Sequence, residues 1–170
     1  MSNVSQFIGS GWVPLETIEV TSAVANVNFD SNIDDTFNNY VITGTHTLTT
    51  TASIYGRLKT GDPSAIINTN YRVLSTSPGA TSSSTNINRT NAIITAYSGS
   101  FIAYFMNLRS SDAFKSIVSQ ATGYSGASMI LRDYTNALLN TSIINGIQLF
   151  PSAASSFTAG KFTLYGIKEL

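Results

Sequence analysis

The chain has 170 residues, nine basic and nine acidic side chains, one histidine and no cysteine, for a formal net charge of zero at pH 7. Charged residues are only 11 % of it, less than half the roughly 25 % of an ordinary domain, and such balance argues against a nucleic-acid binder, which needs a basic face. Absent cysteines exclude a disulfide framework, thiolate-bound zinc, iron–sulfur centres and thiol catalysis.

The polarity is neutral instead: 24 Ser, 21 Thr and 15 Asn make up 60 of the residues. The division expected is an amino-terminal arm over residues 1–16 and one domain over 17–170, a length near the usual domain size. Met1 to Phe7 lack the basic and apolar regions of a secretion signal, and no run reaches the ~18 apolar residues of a membrane helix. The expectation is a protein folded in a cytoplasm, with neither membrane nor nucleic acid as partner. Gly9-Ser10-Gly11 interrupts the arm, which nevertheless carries Phe7, Ile8, Trp12 and Val13. Large apolar groups are not favoured on a solvated tail, so these four are the candidate partner-binding residues.

From residue 22 onward apolar and polar residues alternate with period two, the pattern of strands with one buried face. Ala23, Ala25, Val27 and Phe29 share a side, opposite Ser22, Asn26 and Asn28. Asp30, Asp34 and Asp35 follow in a turn. Clustered carboxylates can bind calcium, but no EF-hand register is present, and Asp and Asn are ordinary turn formers. Tyr40, Ile42, His46 and Leu48 then oppose Val41, Thr43, Thr45 and Thr47. Shorter strand candidates are Ile54 to Leu58, Tyr71 to Leu74 and Ala92 to Tyr97, with Ser75 to Thr90 read as a surface loop. In Phe101 to Met106 both sides are apolar, which marks a central or interface strand. Phe101, Tyr104, Phe105 and Met106 are the candidate oligomer contacts. Phe114 to Ala121, Ala127 to Leu131, Ile143 to Phe150 and Lys161 to Ile167 complete the strands, while Asp133 to Leu139 reads as a short connector. About ten short strands between Gly, Asn, Asp, Ser and Pro turns predict an all-β fold, an antiparallel β-sandwich of jelly-roll type.

Candidate chemistry is sparse. His46 is the sole histidine, sits mid-strand among threonines, and has no G-x-S-x-G nucleophile elbow to serve; it reads as structural, three copies around a trimer axis being the remaining metal-binding arrangement. No catalytic residue, metal or cofactor is predicted. Tyr55, Tyr71, Tyr97 and Tyr124 beside abundant amides suit either packing or stacking on sugar rings.

Three stretches carry a resemblance. Ile33-Asp34-Asp35-Thr36-Phe37-Asn38-Asn39-Tyr40-Val41-Ile42, Asn107 to Lys115, and Asn145 to Phe150 followed by Phe157 to Lys168, closing in Gly160-Lys161-Phe162-Thr163-Leu164-Tyr165-Gly166-Ile167-Lys168, are similar to a family of tailed-bacteriophage virion structural proteins. The resemblance implies a non-enzymatic β-sandwich, often a homotrimer, carried on the virion as a tail-fibre tip or a capsid decoration protein and made in the host cytoplasm. With only a short segment ahead of the sandwich, it points to a decoration (cement) protein bound to the major capsid protein. The alternative is a tail-appendage module, attached to a tail protein, that binds host-surface carbohydrate.

Overall fold

Strands dominate because Val, Ile, Thr, Tyr and Phe recur at period two, which suits a pleated, half-buried surface. The computed structural model describes residues 11–61, 65–69, 71–77, 80–87, 93–152 and 154–168, by backbone alone at 72–77, 80–87 and 94–95. Among them are eleven strands: β1 Trp12–Val20, β2 Val27–Phe29, β3 Asn39–Thr60, β4 Ala65–Ile66, β5 Tyr71–Ser77, β6 Ala80–Ile87, β7 Ile94–Met106, β8 Lys115–Ser125, β9 Ser128–Leu138, β10 Gly146–Pro151 and β11 Phe157–Ile167. The described pairs are all antiparallel, in the order β1-β11-β3-β7-β8-β9-β5-β6, with β2 joined through β10 and β4 directly to β3. The all-β antiparallel expectation therefore holds.

β3 organises the sheet. Its first half, Asn39 to Leu48, pairs with β11, and its second half, Ile54 to Lys59, pairs with β10. Between them the ladder to β7 breaks after Thr47 and resumes at Ala52. A strand that changes partners in this way folds one sheet over on itself. Accordingly one buried cluster joins Val27, Phe29, Leu58, Ile147 and Leu149 to Ile42, Phe101, Phe105, Phe162 and Leu164, and the arrangement is sandwich-like.

Several expectations are corrected. Ile54 to Leu58 and Tyr40 to Leu48 are one strand, and β7 joins Ile94 to Tyr97 with Phe101 to Met106; Ala92 lies outside the described residues. Asp133 to Leu139 is no connector: β9 runs through it to Leu138, because β8 and β5 pair with it on either side. Within Ser75 to Thr90, β5 and β6 form a hairpin; residues 78–79 and 88–90 lie outside the described residues. Only Val27 to Phe29 of the first expected strand is one, Val24 contributing a single bridge to Phe157. Residues 12–16 are not arm but sheet, since β1 pairs with β11 from Trp12↔Ile167. Pro14 is tolerated there because, among the described residues, β1 has a partner on one side only, and a register shift follows it. The tight β8–β9 turn puts Gly126 at φ 62, the geometry for which glycine is selected at the first position of a two-residue hairpin loop.

Candidate interaction surface

The three stretches that carry the resemblance meet at one corner. The Tyr40 hydroxyl donates to the Asp34 carbonyl at 2.9 Å and accepts from the Asp34 N–H at 3.0 Å. Burial pushes this phenol up to about 12. The Phe37 ring lies over Gly166, where any β-carbon would strike it. Leu108 donates its N–H to the Asn38 carbonyl at 2.9 Å, and Arg109 pairs with Asp35 while donating to the Ile144 carbonyl at 3.0 Å. Lys115, fully buried, donates to the Ser110 and Ala113 carbonyls at 2.5 and 3.1 Å, and burial lowers its pKa. These motif residues clamp strand ends and loops to one another.

The aspartates are likewise committed separately. Asp34 accepts from the Thr36 N–H at 2.9 Å, which holds its carboxyl below the usual range. Asp30 receives Lys59 Nζ at 2.8 Å, over Gly146. Among the described residues no group of three or more His, Cys, Asp or Glu side chains converges as a metal site would require. A first test follows from the corner: Tyr40→Phe leaves both Asp34 backbone groups without their hydroxyl partner and is expected to lower stability by about 1–2 kcal/mol, read by urea unfolding. No loss would mean that the corner holds nothing.

Alternation settles where the predicted contacts point. Phe101, Ala103 and Phe105 face inward, at 5 %, 0 % and 0 % exposure, so Phe101 and Phe105 are not available to a second copy. Polar residues earlier on the same strand carry the missing signal: Ser98 and Ser100 share the side of Tyr104, marking that side as outward. Tyr104 and Met106 do project outward. Tyr104 and Tyr165 flank Val41 across the register and cover it completely, and Trp12 packs on both rings at 6.0 and 5.6 Å. Trp12 stays 44 % exposed; Val13 is half-buried. Phe7 and Ile8 lie outside the described residues.

Sequence reasoning missed the rest of this outer face. Across β11, β3, β7, β8 and β9 one row reads Lys161, Thr45, Ser100, Thr122 and Leu131, and another Ala159, Thr47, Ser98, Tyr124 and Met129. A groove of about 520 Å³ runs along them, its floor including Gly99, Gly123 and Gly160. Its β8–β9 end is walled by Tyr124 and Met129, exposed to 58 % and 72 %, with Leu131 at 66 % beside it. The chemistry on offer is hydroxyl hydrogen bonding and apolar contact; the charges on these rows and the next, Lys161 and Asp133, stand at opposite edges.

Of the four tyrosines, Tyr71 is core, its hydroxyl accepting from the Leu58 N–H at 2.8 Å. Tyr55 packs against Phe150 at 5.7 Å, whereas Tyr97 and Tyr124 are exposed. No protein-family model matches the chain, and no curated protein or solved structure is significantly similar to it.

Proposed function

We propose that the protein is a non-enzymatic bacteriophage virion structural protein, a homotrimer that decorates the outer capsid and stabilises it through the major capsid protein. The observation that carries this reading is the outer face: hydroxyl-lined, nearly free of charge, and flanked by exposed Trp12, Tyr124, Met129 and Leu131. Interface cores are depleted of charge and enriched in aromatics and methionine. In the proposal this face joins copies to one another, and Trp12 and Val13, with Phe7 and Ile8 ahead of them, contact the particle. A protein bound to the assembled shell and not to dispersed subunits strengthens the shell by mass action, multiplied over many copies.

Tyr124→Ala is the direct test of the copy-to-copy contact. Truncating an anchoring aromatic at an interface costs about 2 kcal/mol or more, roughly thirty-fold in Kd, and the exposed side chain has little packing to lose in the protomer. Light scattering is expected to show a trimer of the 18.1 kDa chain for the wild type and a shift to monomer for the variant at the same concentration. A wild-type monomer at micromolar concentration overturns the trimer. Copy number per particle then tests location: hundreds support the capsid, a few tens or fewer a tail.

The second reading, a tail-appendage module for host-surface carbohydrate, is favoured by the groove itself, where Tyr124 offers a ring face beside a floor of hydroxyls. Sugar binding by the isolated protein that Tyr124→Ala abolishes would support it.

A further inference from the structure

His46 faces inward from β3 at 3 % exposure, and neither Nδ1 nor Nε2 has a hydrogen-bond partner among the described residues. A neutral imidazole carries one donor and one acceptor, and neither is matched by a protein group among the described residues. Its cross-strand neighbours are Gly160 on β11 and Gly99 on β7, and Gly99 in turn opposes Gly123 on β8. On β11, β7 and β8 the ring therefore has no side chain beside it, and the next side chains of the row are Val20 on β1 and Ile130 on β9. One residue further on, at Thr47, the β3–β7 ladder breaks, and beyond it β3 leaves β11 for β10. The single histidine of the chain thus sits where the two halves of the sheet are joined.

We infer that His46 is an acid-operated latch: the neutral ring lets the sheet close around the junction in β3, and protonation opens the pairing of β3 with β7 and β11 there. An imidazolium in this place would be a buried charge without a partner, which is costly. The Phe101 ring lies 6.4 Å away between centroids. β3, β7, β8 and β11 carry no carboxylate. Lys161, beside Gly160, points to the other face and pairs with Glu19 at 3.2 Å; Arg57, Lys59 and Lys115 lie toward the far ends of their strands. Burial alone lowers the His46 pKa, from 6.5 to about 4. Because the folded value is the lower one, the opened state binds the proton first as pH falls. Stability is complete above about pH 6.5 and declines toward pH 4, the opening constant rising tenfold per pH unit and about 300-fold across the window.

The test uses the full wild-type chain and His46→Leu. In the wild type, NMR titration of the imidazole is expected to give a midpoint near 4. Amide hydrogen exchange, corrected for its intrinsic pH dependence, should show opening at Thr45, Thr47, Gly99 and Ser100 rising tenfold per unit below pH 6.5, and ahead of amides in β2 and β10. His46→Leu should lose that rise while the acid response of the carboxylates stays. A wild-type midpoint at 6 or above overturns the proposal, and so does an undiminished acid response in His46→Leu. If the leucine variant does not fold, the wild-type titration and exchange profile decide by themselves.

Discussion

Phe162→Ala is expected to lower the unfolding free energy by about 4 kcal/mol, within the 3–5 kcal/mol range for truncating a buried phenylalanine. Phe162 is fully buried, edge-on to Phe157 at 5.2 Å and tilted against Phe101 at 6.3 Å. Its ring also lies over two glycines of the sheet: β-carbons added at Gly44 and Gly160 would each come within 2.9 Å of it. Removing the ring leaves a void floored by backbone, which cannot collapse into it as flexible side chains might. Against the 5–15 kcal/mol that holds a typical domain together, this is a large share. Urea unfolding with an unchanged m-value measures it. A loss below 1 kcal/mol would show that the ring is not part of a packed core.

Gly44→Val should cost about 3 kcal/mol by the opposite mechanism, overpacking. Gly44 sits between Phe162 on β11 and Phe101 on β7 in one row across three strands. A β-carbon there would stand 2.5 Å from Phe101 Cε1 and 2.9 Å from Phe162 Cδ1, so a ring or the sheet must move. The two aromatics close over the space that glycine leaves, which explains a glycine in the middle of a central strand. Combining Gly44→Val with Phe101→Leu should recover part of the loss, giving a coupling of more than 1 kcal/mol between sites in contact. Strict additivity of the two variants would refute the close packing of this row.

The period-two pattern was legible wherever one side of a strand is polar. His46 and Leu48 against Thr45 and Thr47 could be read only one way, and the structure has that alternation. At Phe101 to Met106 the pattern identified a central strand but not its inner side, because both sides are apolar and alternation has no sign. The packing of Phe101 against Phe162, and of Tyr104 beneath Trp12, fixes it, in agreement with Ser98 and Ser100 earlier on the strand, which lie on the outward side. Asp133 to Leu139 was misread for a related reason: its local preferences are weak, and pairing with β8 and β5 overrides them.

The sequence by itself determined the class of fold and the absence of thiol chemistry, since strand periodicity and composition act locally and need no partner. It also determined that Asp34 serves its turn and that Tyr40 belongs to a buried face. The tertiary structure alone decided that β3 joins two halves of one sheet, that Asp30 and Asp35 pair with Lys59 and Arg109, and that hydroxyls from three strands line one groove. Those facts depend on register between segments distant in the chain, and a single residue of slip would send each of these side chains to the opposite face.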